Sequence, residues 1–167
     1  MSCVGEMVGR SKGKVAERDV AALLADWWGS LEPGCSFIRT PLSGGWQSQA
    51  PTVRAEFRAC GDIMTTARRF PWCIEVKRRE GWAWHPLLAG KASPVLGWWV
   101  QAMRDASLAQ LAPMLWFRRN REPWYVMLDA VPQGVARRHL KRLPSDTVLL
   151  PAVALLAVQP EVLLSKS

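Results

Sequence analysis

The chain has 167 residues, which suits a single domain with a buried core. Its 22 Lys and Arg outnumber its 14 Asp and Glu, and the resulting net charge of +8 favours a polyanionic partner. The longest apolar run, residues 148–158, contains Pro151 and is too short to cross a bilayer, and no signal peptide is evident, so we expect a soluble cytoplasmic protein without a membrane partner.

The first predicted element is a helix over residues 10–28, with Ser11 as its N-cap. Apolar residues recur at helical spacing and form one stripe, made of Ala16, Val20, Leu23 and Trp27. Glu17 falls at the border of this stripe, so its carboxylate is predicted to reach into a cleft. A solvated helix charge is the alternative for Glu17.

Short strands and a second helix are predicted to follow. The strands span residues 35–40, 61–66, 72–77, 114–118 and 124–129, and the helix spans residues 96–111. The polar, glycine-containing stretch 41–58 predicts a long loop with a functional role, and for residues 46–58 a surface insertion without a role is the alternative. The stretch 81–94 shows no regular pattern, and a basic turn, residues 119–122, connects the last two strands.

The C-terminal part has no clean periodicity. We expect residues 1–130 to form the core of the domain and residues 131–167 to form an extension that packs on this core or in a dimer interface. Within the extension, residues 137–142 are predicted to form a short basic helix.

Four cysteines are present, Cys3, Cys35, Cys60 and Cys73, and they show no CxxC spacing. Two of them fall in apparent strands, and we expect all four to be reduced core thiols of a cytosolic protein. With only two histidines in the chain, no zinc site at a recognised spacing is expected.

The most informative stretch is the predicted strand at residues 72–77, within FPWCIEVKRRE. Its period-two alternation places Cys73, Glu75 and Lys77 on one face and Ile74 and Val76 on the other. Two charges inside an apolar strand are costly unless they pair, bind a metal or take part in chemistry. An ion pair on an edge strand is the alternative to a functional role.

Asp62 lies near the start of the neighbouring strand, and adjacent strands that carry Asp and Glu-x-Lys are typical of a metal-dependent phosphodiesterase. Magnesium prefers oxygen ligands and keeps several waters, so one or two carboxylates and a carbonyl make a sufficient site. We expect Asp62, Glu75 and the Val76 carbonyl to provide this set, with Glu17 completing the ligand shell or holding a water. Lys77 would orient the attacking water or stabilise the developing charge.

Residues 10–128 resemble the archaeal-type Holliday junction resolvases of the PD-(D/E)xK nuclease superfamily. Several sequence motifs of that family are matched, and they occur in the same order along the chain. The segments that carry the resemblance are Arg10, Lys12 and Gly13 with Ala16, Glu17 and Arg18; FIRTPLSG at 37–44; Gly61, Asp62 and Ile63; CIEVK at 73–77; and residues 113–117 with 124–126. Residues 46–60 make the connection to Asp62 longer than is usual in that family, and residues 131–167 have no assigned counterpart.

The resemblance implies an α/β fold with a restriction-endonuclease-like core, in which a central mixed β-sheet is flanked by helices in a single domain. It also implies a homodimer that cuts four-way DNA junctions with magnesium, for which manganese would substitute, and no further small-molecule cofactor. The residues that it implies as catalytic are Glu17, Asp62, Glu75 and Lys77, with Arg18 and Arg39 assisting at the phosphate and Ser43 on the loop that contacts the junction.

Basic residues near the predicted cleft, together with Ser43, are expected to contact the DNA backbone without reading sequence. The basic residues are Arg10, Lys12, Lys14, Arg18, Arg39, Arg78 and Arg79. Trp46, Trp82 and Trp84 fall in predicted loops and are candidates for stacking on unpaired bases, with an interface role as the alternative.

The function expected from the sequence is therefore a metal-dependent endonuclease that cleaves four-way DNA junctions in recombination and repair. Another nuclease on the same core, such as a nicking, restriction-like or general branched-DNA enzyme, is the main alternative, because these enzymes share their active-site residues. A non-catalytic DNA-binding module is the second alternative, and the buried charges argue against it.

Overall fold

The computed structural model describes residues 3–41, 56–143 and 147–164, with side chains described from residue 13 onward. The strands in this part of the chain are β1 Phe37–Arg39, β2 Arg58–Cys60, β3 Ile63–Thr65, β4 Trp72–Arg78, β5 Ala112–Arg118, β6 Tyr125–Leu128, β7 Lys141–Arg142 and β8 Val148–Pro151. The helices are α1 Cys3–Trp28, α2 Trp84–Leu88, α3 Pro94–Leu108, α4 Ala152–Leu156 and α5 Pro160–Leu164, with a 3₁₀ turn at Arg137–His139. None of these helices is both long and apolar enough to cross a membrane.

The strands of the described residues form one mixed sheet in the order β1-β3-β4-β5-β6-β8-β7, and β2 also pairs with β3. β4 and β5 are parallel, with Glu75 opposite Leu115, and the other pairs of named strands are antiparallel. Helices α2 and α3 lie in the crossover between the two parallel strands. The expected fold class, a mixed sheet flanked by helices in one domain, is confirmed.

The first face of the sheet is buried under α1. Because side chains alternate along a strand, Met114 and Trp116 of β5 point into this core. The stripe of α1 that packs in the same core contains Ala16, Val20, Leu24 and Trp27. The stripe agrees with the helical spacing in the sequence except at Leu23, which is only partly buried.

Aromatic rings fix the C-terminal end of α1 over β4. Trp28 is fully buried, and its ring centroid lies 5.0 Å from that of Phe70 and 5.9 Å from that of Trp72. The neighbouring Trp27 donates its indole N–H to the carbonyl of Val158 at 2.8 Å. These contacts determine where α1 lies relative to the strand that carries Glu75 and Lys77.

The second face of the sheet is covered by α2 and α3. Leu115 and Phe117 of β5 alternate with the residues of the first core and pack here against Val95 and Trp99 of α3. Leu87 of α2 is also fully buried in this core. The central strands are therefore buried on both faces, which explains their almost continuous apolar sequence.

Several elements differ from the sequence prediction, among them β2, α4 and α5, which the sequence did not predict. Helix α1 begins at Cys3 rather than after Ser11, because no proline interrupts residues 3–10 and glycine costs a helix only about 1 kcal/mol relative to alanine. The stretch 81–94 contains α2, which tolerates Pro86 because the first turn of a helix has no partner for that N–H. Residues 137–142 form a 3₁₀ turn followed by β7 rather than a basic helix, since β7 pairs with β8.

The cysteines contradict the expectation that all four are reduced. Cys60 and Cys73 form a disulfide, with their Cα atoms 5.2 Å apart. The sheet explains this pairing, because Gly61 forms a parallel bridge with Ile74, which places the preceding residues, Cys60 and Cys73, next to each other. Cys35 is a free thiol.

Candidate active site

Asp62 is held at the start of β3 by a turn that requires glycine. Gly61 has a φ of +67°, and a Cβ at this position would collide with the carbonyl oxygen of Ile74. The N–H of Asp62 donates to this same carbonyl at 2.7 Å, and the carbonyl of Asp62 accepts from the N–H of Thr40 at 2.8 Å. The side-chain Oδ2 of Asp62 accepts from the N–H of Val76 at 2.9 Å. Both the backbone and the carboxylate of Asp62 are therefore fixed against β4.

Glu75 lies in the middle of β4, and its relative exposure is only 3%. Its Oε1 accepts hydrogen bonds from the Lys77 ammonium and from Nε2 of Gln101 on α3, the latter at 2.9 Å. Ile74 and Val76 lie in the core under α1, on the opposite face. The alternation predicted from the sequence is thus confirmed, and the buried carboxylate has two donors.

The Val76 carbonyl is directed to the edge of β4 where Asp62 lies. Backbone groups of residues two apart in a strand point to the same side. On this side, the Ile74 carbonyl accepts from the N–H of Asp62, and the N–H of Val76 donates to the Asp62 carboxylate. A carbonyl oxygen and two carboxylates, those of Asp62 and Glu75, consequently come to the same part of the sheet.

Helix α1 brings Glu17 to this part of the molecule from the other face of the sheet. Oε2 of Glu17 forms an ion pair with Nε of Arg39 in β1, at 2.5 Å, and each side chain is 19% exposed. The charges of Asp62 and Lys77 also act on the Glu17 carboxylate. The structure therefore brings together Glu17, Arg39, Asp62 and Lys77, with Glu75 beside them.

Three carboxyl groups of this cluster have raised pKa values, and burial is the main cause for each of them. For Glu17 and Glu75, the negative charge of Asp62 is the next cause. The pKa of Glu75 is raised to about 7, although Lys77 lowers it. Partly desolvated carboxyl groups that repel each other in this way are typical of functional sites and would be stabilised by a cation.

These residues fit a divalent cation that prefers oxygen ligands. Asp62 and Glu75 offer carboxylate oxygens, and the Val76 carbonyl is directed toward the same edge. Within the described parts of the chain, no three acidic, His or Cys side chains are close enough to enclose a metal by themselves, so Glu17 does not form a three-carboxylate set with the other two. A magnesium-like ion keeps several waters, and for such an ion two carboxylates and a carbonyl suffice.

A groove of about 440 Å³ lies between α1 and β1, next to this cluster. Arg18 and Arg39 both line it, together with apolar residues. Lys14, one turn earlier on α1, is exposed. Two of the predicted phosphate contacts are thus side by side at the site.

The other residues predicted to contact DNA have different positions. Arg78, the last residue of β4, donates from Nε to Oδ1 of Asn120 at 2.9 Å, and Arg79 is exposed. The backbone of Arg10 and Lys12 belongs to α1, but their side chains lie outside the described residues. Ser43 lies wholly outside them.

Two residues of α3 near Glu75 were given no role in the sequence analysis. Gln101 donates to the Glu75 carboxylate, and the negative charge of Asp105 raises the pKa of both Glu75 and Asp62. Both residues are only partly exposed and lie beside the buried stripe of α3, which contains Trp99 and Ala102. A polar pair four residues apart at the border of an apolar helix face is the sequence signal that could have identified them.

The two tryptophans of residues 81–94 both pack against the second core, but only Trp82 is buried. Trp82 is only 4% exposed and packs against Phe117 with a centroid distance of 5.2 Å. Trp84 belongs to α2 and packs edge to face on Tyr125 at 4.5 Å. The expectation of stacking on unpaired bases is therefore wrong for Trp82, whose ring lies in the second core, whereas it stays a prediction for the partly buried Trp84. Trp46 lies outside the described residues.

We expect the metal-free protein to lose stability as the pH rises through the titration of Glu75. The carboxyl group has a reference pKa of 4.5 in the unfolded chain and about 7 in the folded protein, so the folded state binds the proton more tightly. The proton on Glu75 therefore stabilises the folded state by up to roughly 3 kcal/mol. This stabilisation is complete below the unfolded pKa and is lost as the pH rises through about 7.

Glu75→Gln keeps the shape of the side chain and removes its titration. Melting temperatures of both proteins in EDTA, from about pH 5 to about pH 8, test the expectation. The melting temperature of the variant should exceed that of the natural protein by a margin that grows as the pH rises. A difference between the two that does not depend on pH would show that Glu75 does not titrate in this range.

Comparisons with known proteins give two findings. A family model described as phage putative PDDEXK endonuclease matches residues 8–148. Among solved structures, the chain is similar to Hjc from Archaeoglobus fulgidus, described as a Holliday junction resolvase from an archaeal hyperthermophile and determined at 1.6 Å resolution. The sequence identity is 16% and the TM-score is 0.38, and the match covers 85% of this chain and 90% of that chain. None of the curated proteins matches the sequence.

Proposed function

Because this chain belongs to the phage putative PDDEXK endonuclease family, we propose that it is a metal-dependent DNA endonuclease that cleaves four-way junctions by symmetric phosphodiester hydrolysis, in recombination or repair. The observation that supports catalysis is the buried Glu75, hydrogen-bonded by Lys77 and Gln101 beside the fixed carboxylate of Asp62. A protein that only binds DNA would gain nothing from burying these charges.

Selectivity for junctions is supported by the order and spacing of the sequence motifs. Glu17 and Arg18 on the first helix are followed by Arg39 and the serine-containing loop, and then by Asp62 and Glu75 with Lys77.

We propose magnesium as the ion of this site, with manganese able to replace it, held by Asp62, Glu75 and the carbonyl of Val76. When bound, such an ion neutralises charge at the phosphate and lowers the pKa of a water. Glu17, which pairs with Arg39, lies next to this set and would accept hydrogen bonds from the surrounding waters.

Lys77 is the side chain that we propose acts directly on the reacting groups. Its ammonium donates to Glu75, and its side chain is 21% exposed, so it can reach a substrate while it stays close to this carboxylate. There it would orient the attacking water or stabilise the charge that develops on the phosphate. Arg39 and Arg18 would bind phosphate oxygens from the adjacent groove. Gln101 would keep the Glu75 carboxylate in position.

The remaining contacts to DNA are proposed to come from basic residues around the site, which are Arg10, Lys12, Lys14, Arg78 and Arg79, together with Ser43 of the loop. Symmetric cuts on a four-way junction need two active sites, so the proposal includes a homodimer with two-fold symmetry. Residues 131–167 are proposed as an extension of the nuclease core, packed on it or in the dimer interface.

The test is magnesium-dependent cleavage of an immobile four-way junction beside a linear duplex of the same sequence, with sizing chromatography in the same buffer. We expect a dimer that makes paired symmetric nicks on the junction and cuts the duplex little. Glu75→Ala should be inactive, whereas Glu161→Ala, which removes an exposed carboxylate of α5, should cleave like the natural protein.

Other outcomes of this experiment would select the alternatives. Equal cutting of junction and duplex would point to a general nuclease of the same family. Tight binding of the junction without cutting would indicate a non-catalytic module. A monomer at the concentration used for cleavage would count against symmetric resolution.

A further inference from the structure

The last residue of β5 and the turn that follows it carry three arginines and lie directly beside the end of β4. We call residues 118–122, with the sequence RRNRE, the arginine turn. β4 and β5 are parallel and in register, so Lys77 lies opposite Phe117 and Arg78 lies opposite Arg118. The arginine turn thus begins one residue beyond the level of Lys77 in the sheet.

Three hydrogen bonds attach the arginine turn to Arg78 at the end of β4 and to the two residues that follow it. The N–H of Arg79 donates to the carbonyl of Arg118 at 3.2 Å. Nε of Arg78 donates to Oδ1 of Asn120 at 2.9 Å, and the N–H of Asn120 donates to Oε1 of Glu80 at 2.7 Å. These bonds hold the turn at a constant position relative to the proposed active site.

The charges at this end of the sheet are mostly positive and incompletely compensated. Burial lowers the pKa of Arg118, and the positive charge of the neighbouring Arg78 lowers it further. Asp19 of α1 forms an ion pair with Arg118 at 3.1 Å. In the described parts of the chain, neither Arg79 nor Arg121 forms an ion pair. Adjacent guanidinium groups of this kind would be stabilised by an anion.

Arg121 has a φ of +63°, in the left-handed region that side chains with a Cβ rarely adopt. Gln110 has a similar φ, but it follows α3, where left-handed residues commonly end a helix. Arg121 lies in a turn between strands, where glycine or asparagine would adopt this conformation at lower cost. A strained, exposed arginine at this position suggests that its side chain has a function of its own.

We propose that the arginine turn binds the phosphate backbone of duplex DNA next to the cleavage position, continuing the surface of Arg78 and Arg79 past the active site. The partner is the DNA backbone rather than the bases, because guanidinium groups on a fixed turn match phosphate oxygens and need no base sequence. This inference rests on the proposed function, since it assumes that the substrate is DNA.

The test uses Arg121→Gly, which removes the charge and relieves the strained φ, so the variant should melt no lower than the natural protein. Arg121→Lys keeps the charge at the same position. Lys141→Ala removes one positive charge from β7, four strands away from β4 in the sheet. Binding of a short duplex by each protein is measured in EDTA, which prevents cleavage, over a range of salt concentrations.

Arg121→Gly should weaken duplex binding by about threefold to tenfold at low salt and reduce the slope of log affinity against log salt by about 1. Arg121→Lys and Lys141→Ala should each stay within about twofold of the natural protein. The inference would be overturned if Arg121→Gly bound the duplex with the affinity and salt slope of the natural protein. It would also be overturned if Lys141→Ala lost as much affinity as Arg121→Gly, because the loss would then reflect net charge alone. If the natural protein binds no DNA, the proposed function fails together with the inference.

Discussion

Asp62→Asn is expected to lower the rate of DNA cleavage by at least about 1,000-fold, because the amide cannot supply the negative charge that a divalent ion needs at this position. The amide oxygen can still accept the hydrogen bond from the N–H of Val76, so the turn after Gly61 should persist. Junction binding in EDTA should therefore be unchanged. Cleavage and binding are measured on the same four-way junction.

The stability of this variant provides an internal check. Burial raises the pKa of Asp62, which means that folding disfavours its charged form, so a neutral side chain should leave the melting temperature unchanged or raise it at neutral pH. Asp26→Asn, at an exposed position of α1, serves as the matched control and should cleave like the natural protein. Substantial cleavage by Asp62→Asn would remove Asp62 from the proposed metal site.

Trp28→Ala is expected to lower the free energy of unfolding by about 4 kcal/mol, the cost typical of truncating a fully buried tryptophan. The indole packs against Phe70 and Trp72, and the cavity left by truncation lies under the start of β4. For a protein of this size the melting temperature should fall by roughly 10 °C. Thermal unfolding followed by circular dichroism measures the change.

The same substitution should also affect activity, because α1 carries Glu17 and its position depends on this aromatic cluster. Leu108→Ala is the control, since Leu108 is 81% exposed at the end of α3 and its truncation should change the melting temperature little. If Trp28→Ala changed the melting temperature as little as Leu108→Ala, other contacts would have to hold α1 in place.

The central strand could be predicted from the sequence because two signals agree there. The alternation of Ile74 and Val76 with Glu75 and Lys77 predicts both the strand and its faces, and the structure confirms both. Asp62 was identifiable because glycine precedes it and an apolar run follows. Local patterns of this kind are sufficient when residues close in sequence determine the geometry.

Features that depend on contacts between distant segments could not be predicted in the same way. Gln101 lies on a helix whose packing against β4 decides which polar residue meets Glu75. Trp82 and Trp84 have the sequence context of a loop, and only the position of β5 and β6 shows that the Trp82 ring is buried and that the Trp84 ring packs beside it. The disulfide likewise depends on the bridge between Gly61 and Ile74, which no cysteine spacing reveals.

The disulfide between Cys60 and Cys73 closes a covalent ring that contains Asp62 and ends two residues before Glu75. Proteins open locally in cooperative segments, and segments with few contacts open first. Opening of β1, a short strand at one end of the sheet, would carry Arg39 away, whereas the ring would keep Asp62 beside the strand of Glu75. On gradual heating, Arg39 and its proposed contact to phosphate would therefore be lost first, and the pair of carboxylates proposed to hold the ion would be the last part to separate.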